Sequence, residues 1–255
     1  MAIYVTSDAH GHVRPLDRLL SRVSLADEDT LYVLGDMIDR GPEPVEVIKL
    51  VRRVPGARVL MGNHERMMLD ALLNHDDIDD ITWAFNGGAA TLAGLDGMLE
   101  DEFAETVAWV RDLPLFDVVE AGARLWILVH AGIDALAARG FLATAGVDCS
   151  EGKGARAAGR DTLLDMMSRQ DPLDLLWIRE GFWGEPTGLV GADGSGPIVV
   201  AGHTPSIMLA HYVDVMEGDG TSPEGVGTIV RVGATEKPQG RPTALTSIAR
   251  RLRDT

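Results

Sequence analysis

Five short apolar runs punctuate the chain, and each ends on a polar side chain able to hold a metal. They are Ile3 to Ser7 before Asp8, Leu31 to Gly35 before Asp36, Val59 to Gly62 before Asn63, Trp126 to Val129 before His130, and Val199 to Gly202 before His203. Continuous β-branched and aliphatic runs of this length predict buried strands. In an open α/β sheet the loops past the carboxyl ends of such strands meet in one crevice, so the five polar ends are expected to converge. Helical patterns cover Pro15 to Val23 and Pro42 to Val54, and a third helix follows Asn63. The result is a β-α-β-α-β-α unit with parallel strands and right-handed crossovers, with Pro15 and Pro42 in first turns.

Beyond Asn74 the pattern changes. The stretch from Asn74 to Asp80 carries four aspartates and reads as a solvated turn between helices. Helical spacing runs from Thr82 to Leu95 and from Leu99 to Leu113, where Pro114 stops it. Leu115 to Val119 and Leu125 to Val129 predict a hairpin around the turn Glu120 to Ala123. From Ala143 to Gly159 the composition shifts to Gly, Ala and charge, which predicts a mobile surface loop. Strands are expected again at Ile198, at His211 to Met216 and at Thr228 to Val232, with a turn from Glu217 to Gly225 and a short basic surface helix from Ile248 to Arg253. With no internal repeat or clear linker, residues 1–255 are expected to form one domain.

Composition narrows the field. At 255 residues and 45% hydrophobic, the chain can build a substantial core. A formal net charge of -16 repels nucleic acid and anionic membranes, so neither is expected as a partner. Divalent cations bound among the acidic side chains would reverse that sign locally. Cys149 is the only cysteine, which excludes an internal disulfide and fits a reducing compartment. The amino terminus runs straight into the first strand without the features of an export signal, and no apolar stretch is long enough to span a bilayer. A soluble cytoplasmic protein is the expectation.

The polar ends sit in ordered motifs: Ser7-Asp8-Ala9-His10-Gly11-His12, Gly35-Asp36-Met37-Ile38-Asp39-Arg40-Gly41, Gly62-Asn63-His64-Glu65, His130-Ala131-Gly132 and Gly202-His203-Thr204-Pro205. Together they resemble the calcineurin-like metallophosphoesterases, specifically the phosphoprotein phosphatase branch, whose signature runs GD-x-HG, GD-x-x-DRG, GNHE, HGG or HAG, and GH. The resemblance spans Ser7 to Pro205. It implies an α/β metallophosphoesterase fold, with two packed mixed β-sheets as a central sandwich flanked by α-helices. It also implies two divalent metal ions, manganese first with iron or zinc as alternatives, which suits oxygen and nitrogen ligands without thiolate. By the same resemblance Asp8 and His10 bind one metal, Asn63, His130 and His203 the other, and Asp36 bridges both.

His64 holds the family position of the general acid and Asp39 that of the carboxylate orienting it. Arg40 and Arg179 would grip phosphate oxygens, a task for which a guanidinium fork suits better than an ammonium. Arg179 lies in Leu176-Trp177-Ile178-Arg179-Glu180, similar to a W-x-RE segment of bacterial and phage-type members; the competing reading is an exposed arginine on a surface helix. Glu65 is assigned loop support through a hydrogen bond or ion pair. His75 and His211 read as ordinary histidines, and His12 as a supporting or surface residue. Two departures stand out: Ser7 replaces the usual glycine before the first ligand, and Arg231 and Val232 replace Asp and Thr of the family's IDTGA strand.

Three functions are compatible with this reading. The first is a phosphoserine or phosphothreonine protein phosphatase, working by in-line attack of a hydroxide held between the metals; the Trp83 and Asn86-Gly87-Gly88 pattern resembles small bacterial and phage-type protein phosphatases. The second is a symmetrical bis(5'-nucleosyl)-tetraphosphatase acting on a dinucleoside polyphosphate. The third, a catalytically silent binding protein, is disfavoured because every expected ligand and His64 are present. The substrate partner is accordingly a phosphorylated protein, a small phosphate ester or a dinucleoside polyphosphate.

Overall fold

The computed structural model describes residues 1–150, 152–184, 186–205 and 208, together with the backbone of 230–232 and 243–244. In chain order these form β1 (Ile3–Thr6), α1 (Val13–Val23), β2 (Thr30–Val33), α2 (Pro44–Arg53), β3 (Arg58–Val59), α3 (Asn63–Asn74), α4 (Asp77–Phe85), α5 (Ala89–Asp96) and α6 (Glu100–Arg111). There follow β4 (Phe116–Ala121), β5 (Arg124–Val129), α7 (Ala135–Thr144), α8 (Arg160–Met167), α9 (Pro172–Trp177), α10 (Glu180–Trp183), β6 (Ile198–Ala201), β7 (Val230–Val232) and β8 (Thr243–Ala244).

Two mixed sheets are built from these strands. One has the order β3-β2-β1-β7, with β1, β2 and β3 parallel and β7 antiparallel to β1. The other has the order β4-β5-β6-β8, an antiparallel hairpin followed by parallel neighbours. Strand alternation explains why runs that are apolar on both faces were needed. Ile3, Val5, Tyr32 and Leu34 of the first sheet pack against Val119, Leu128, Ile198 and Val200 of the second, forming the sandwich interior. The intervening residues Leu31 and Val33 face the other way, into a core shared with α1, α2, α3 and α6. Ile127, Val129, Val199 and Ala201 likewise face α7 to α10. Each sheet is therefore covered by helices on its outer side, the arrangement that near-continuous hydrophobic strands require. Parallel β1, β2 and β3, and parallel β5 and β6, place their carboxyl ends at the same edge. No helix among the described residues is long and apolar enough to cross a membrane.

Several boundaries differ from expectation for identifiable reasons. Helix α2 begins at Pro44, which takes the first helical position expected of Pro42. Most of the aspartate cluster is helix: Asp76 caps α4 by accepting the Ile78 N–H at 2.8 Å, and Asp77, Asp79 and Asp80 lie in the first turn. Carboxylates there face the positive end of the helix dipole, so the cluster starts a helix instead of interrupting one. The expected Thr82 to Leu95 helix is two helices, parted at Gly87, whose φ of 101° an L residue rarely adopts. The hairpin turns on Gly122 and Ala123, with φ of 61° and 58° as a two-residue turn of this hand requires.

The segment expected to be a mobile surface loop, Ala143 to Gly159, is exposed over most of its described residues but is anchored at several points. Val147, Ala155 and Ala158 are buried, the Ala155 N–H donates to the Leu189 carbonyl at 2.7 Å, and the Ala192 N–H donates to the Gly152 carbonyl at 2.7 Å. Of the later expectations, His211 to Met216, Glu217 to Gly225 and Ile248 to Arg253 lie outside the described residues, as does His211 itself, while Thr228 to Val232 is described at its end as β7.

Candidate metal centre

Asp8 follows β1, Asp36 follows β2, Asn63 opens α3 just past β3, His130 follows β5 and His203 follows β6. All five are at most 6% exposed, and hydrogen bonds tie them together across the two sheets. Asp8 Oδ2 accepts the His203 N–H at 3.0 Å, and Asp36 Oδ1 accepts the His64 N–H at 3.1 Å. Asp8, His10, Asp36, Asp39, Arg40 and His203 all adopt positive φ, between 41° and 68°. Each such residue costs on the order of 1 kcal/mol, and a concentration of six at one place is the signature of a site held in shape by its surroundings. The motif glycines permit the crowding: a methyl group on Gly62 would collide with Asp36 Oδ1, and one on Gly202 with the Ser7 hydroxyl and Asp8. Ser7, the departure at the glycine position, keeps a negative φ and so needs no glycine there.

The side chains fall into two groups that share Asp36. Nitrogen or oxygen atoms of His10, Asp36 and His64 lie within 4.8 Å of one another, as do those of Asp36, His130 and His203. Asp36 divides its two oxygens between them: Oδ2 is 3.6 Å from His10 Nε2 and Oδ1 is 3.5 Å from His130 Nε2. Asn63 Oδ1 completes the second group, 2.8 Å from His130 Nε2 and 2.9 Å from His203 Nδ1. Expectation and geometry differ at one place, because proximity puts His64 beside His10 and Asp36 where the resemblance implies Asp8.

The next layer fixes the tautomers. His10 Nδ1 is 2.9 Å from the Ile38 carbonyl and His130 Nδ1 is 2.6 Å from the Leu34 carbonyl, so each donates there and turns an Nε2 lone pair toward Asp36. That is how metal-ligating imidazoles are ordinarily held. Burial pushes His10 down to about 3 against the opposing pull of Asp8, and pushes His203 down to about 2 with help from His130 and Arg179. Both are neutral imidazoles at ordinary pH, as metal ligation requires. Burial, then Asp8, then Glu65 raise the Asp36 carboxyl well above its usual range. A divalent cation is the natural relief for carboxylates crowded in this way. The donors are oxygen and nitrogen only, so the residues present fit manganese, iron or zinc.

Around this centre lie the groups expected to handle phosphate and protons. His64 is fully buried, its Nδ1 2.5 Å from Asp39 Oδ2 and its Nε2 2.8 Å from Arg40 Nη2. Arg40 Nη1 is 3.0 Å from His10 Nε2, so a single guanidinium fork spans two imidazoles. Since arginine only donates, His64 Nε2 accepts and the ring proton sits on Nδ1, facing Asp39. Burial first, then Arg40, lowers His64 to about 3; burial raises Asp39 to about 6 against hydrogen bonds from Thr91 and Trp83. As it stands, His64 is neutral, and it must gain a proton on Nε2 before it can act as the general acid its motif position implies. Arg179 lies between α9 and α10, exposed, with Nε 3.0 Å from His203 Nε2. It therefore reaches the centre even though its position matches the surface reading.

Glu65 is fully buried and accepts three backbone N–H groups, those of Gly62 at 3.0 Å, Asp36 at 2.8 Å and Met37 at 2.8 Å. One carboxylate thus joins the loops after β2 and β3. His12 precedes α1 and is half-buried, and His75 is exposed at the end of α3. Sequence reasoning overlooked Thr91, which is fully buried and bonded to Asp39. The only available signal was its place one turn after Asn86-Gly87-Gly88.

The model of the calcineurin-like phosphoesterase family matches residues 1–224. The symmetrical bis(5'-nucleosyl)-tetraphosphatase of Proteus mirabilis (strain HI4320) is 30% identical over 138 residues, covering 52% of this chain and 45% of that protein. The protein of the same name from Erwinia tasmaniensis is 32% identical over 136 residues, with the same shares. The aligned part thus spans less than half the length of these curated relatives. A solved metallophosphoesterase from Sphaerobacter thermophilus superposes with a TM-score of 0.46 at 17% identity, over 91% of this chain and 74% of that one.

Proposed function

The chain belongs to the calcineurin-like phosphoesterase family of metal-dependent hydrolases, and from that premise we propose that it cleaves a phosphate ester or anhydride at the centre shared through Asp36. The observation that carries this reading is the division of one buried carboxylate between two ligand groups, with an imidazole and a guanidinium facing it. Divalent cations held by Asp8, His10 and Asp36 on one side and by Asp36, Asn63, His130 and His203 on the other would ionise the attacking water and withdraw charge from the phosphoryl group. Arg40 is placed to take two phosphoryl oxygens with its fork, and Arg179 to approach from the His203 side. His64 then serves the leaving oxygen. An arriving phosphate draws Arg40 off Nε2 and adds negative charge beside it, both of which raise the proton affinity of that nitrogen. Asp39 keeps Nδ1–H fixed, so the proton handed over is the one on Nε2.

Arg40→Lys tests the grip. Losing a charge-assisted fork is worth about 1.5–3 kcal/mol, so kcat/KM should fall by about ten- to a hundredfold and inhibition by inorganic phosphate should weaken in parallel. The melting temperature should stay put, because Arg40 is exposed. Unchanged phosphate inhibition would remove Arg40 from the substrate.

For the substrate itself, the named relatives favour symmetrical cleavage of a dinucleoside tetraphosphate over a phosphoprotein. The pattern that first pointed to protein phosphatases loses its weight, because Trp83 and Gly87 turn inward onto Asp39 and Arg40 and carry no information about what lies outside. Chromatography after incubation with manganese and diadenosine tetraphosphate should give two nucleoside diphosphates. Orthophosphate released from a phosphoserine peptide, with the dinucleotide untouched, would return the first place to the phosphatase.

A further inference from the structure

The Asp39 carboxylate is held by more than its imidazole partner. Trp83 Nε1 donates to both of its oxygens, at 3.1 and 3.0 Å, and the Thr91 hydroxyl donates to Oδ1 at 2.6 Å. The same hydroxyl accepts the Asp39 backbone N–H at 3.0 Å, so Thr91 ties down both ends of this residue. One residue on, the Arg40 N–H donates to the Gly87 carbonyl at 3.1 Å. Asp39 and Arg40 are both in the left-handed region, with φ of 68° and 64°, a conformation that needs outside support. Gly88 lies flat against the Trp83 indole, where any side chain would strike the ring. Trp83 and Thr91 are 4% and 0% exposed. A buried indole N–H and a buried hydroxyl, drawn from α4 and α5, are thus spent on orienting one carboxylate.

We propose that Trp83 and Thr91 are positioning residues that aim the His64 ring through Asp39, and so determine how poor a leaving group the enzyme can expel. The inference rests on His64 as the proton donor of the function proposed above. With Trp83 and Thr91 filling Oδ1 and sharing Oδ2, the carboxylate cannot rotate, and only Oδ2 is left for the imidazole. Misaiming Nε2 by a few tenths of an ångström weakens proton delivery in the transition state. An alkyl oxygen cannot leave without that proton, whereas a nitrophenolate departs without it. Loosening the clamp should therefore show as a steeper dependence on the leaving group, not as a uniform loss.

The test compares p-nitrophenyl phosphate with ethyl phosphate on manganese-loaded protein. Trp83→Phe keeps the ring and removes the donor; it should lower kcat on ethyl phosphate by about ten- to a hundredfold and on p-nitrophenyl phosphate by no more than about threefold. Thr91→Val should behave alike, and Thr91→Ser, which keeps the hydroxyl, should restore wild-type selectivity between the two esters. Adding Trp83→Phe to His64→Asn should cost nothing further on ethyl phosphate, because both act through one proton. Equal losses on both esters in every variant would reduce Trp83 and Thr91 to structural parts. A further loss in the His64→Asn background would mean that they act by another route. If Trp83→Phe fails to fold, the Val and Ser variants of Thr91 decide the matter alone. Wild-type protein inert toward both esters and toward the dinucleotide would overturn the phosphoesterase reading itself, and this inference with it.

Discussion

Asp36→Asn is expected to cut turnover by at least about a thousandfold and to strip the protein of divalent metal, while making chelator-treated protein more stable. The substitution is nearly isosteric, and asparagine tolerates the positive φ of 53° at this position, so the loop should keep its course. What disappears is the charge. Without it, two ligand groups lose the anion they share, and the several kcal/mol that cations contribute at the phosphoryl group go with them. Stability should move the other way. Burial, Asp8 and Glu65 all work against an ionised Asp36, so a neutral residue there should raise the stability of protein without metal. Elemental analysis, steady-state kinetics and urea unfolding of chelated protein check the three parts. A variant with wild-type metal content and turnover would remove Asp36 from the centre.

The elements that carry the site were the legible ones. Five apolar runs flagged the five strand ends because buried parallel strands are apolar on both faces, a pattern that survives without context. Their polar termini stood out because a buried carboxylate or imidazole at a strand end is costly without a partner. Less was readable between Ala135 and Trp183. Helices α7 to α10 are short, and Gly140 within α7, exposed Leu136 and exposed Leu173 blur the periodicity on which a helix assignment rests. The segment Ala143 to Gly159 was legible as surface, but its anchoring points were not. Its glycines and alanines suggested looseness, yet small residues are what let it lie against the Leu189 backbone.

The clamp on Asp39 was hidden for a different reason. Thr91 lies 52 residues from Asp39 in the chain, and nothing about a threonine on a helix reveals a hydroxyl turned inward. Trp83 was noticed, but as a family mark and not as a hydrogen-bond donor. Hydrogen bonds between distant side chains depend on the assembled fold, whereas ligand motifs at strand ends are local. That difference explains why the strand-end side chains gathered around Asp36 could be picked out one by one in the sequence, whereas Trp83 and Thr91 could not be recognised as donors to Asp39.

His64→Asn should lower kcat on an alkyl phosphate by about a hundred- to ten-thousandfold while leaving metal content at the wild-type level. The two readouts together settle a real competition in the geometry. Proximity groups His64 with His10 and Asp36, close enough for it to serve as a ligand in place of Asp8. Its bonding argues otherwise: Nδ1 is committed to Asp39 at 2.5 Å and Nε2 faces the Arg40 guanidinium at 2.8 Å, which is the direction from which a phosphate would come. A proton donor needs that outward nitrogen free of metal, because a coordinated lone pair has no proton to give. Asparagine is small enough for the buried cavity, and its amide can still donate to Asp39, so a general collapse is not expected. The loss should shrink with p-nitrophenyl phosphate, and also with a dinucleoside tetraphosphate, whose nucleoside diphosphate is a far better leaving group than an alkoxide. Should the variant instead lose one metal equivalent and fail equally on all three substrates, His64 is a ligand, and the acid must be sought among the other groups around the Asp36 carboxylate.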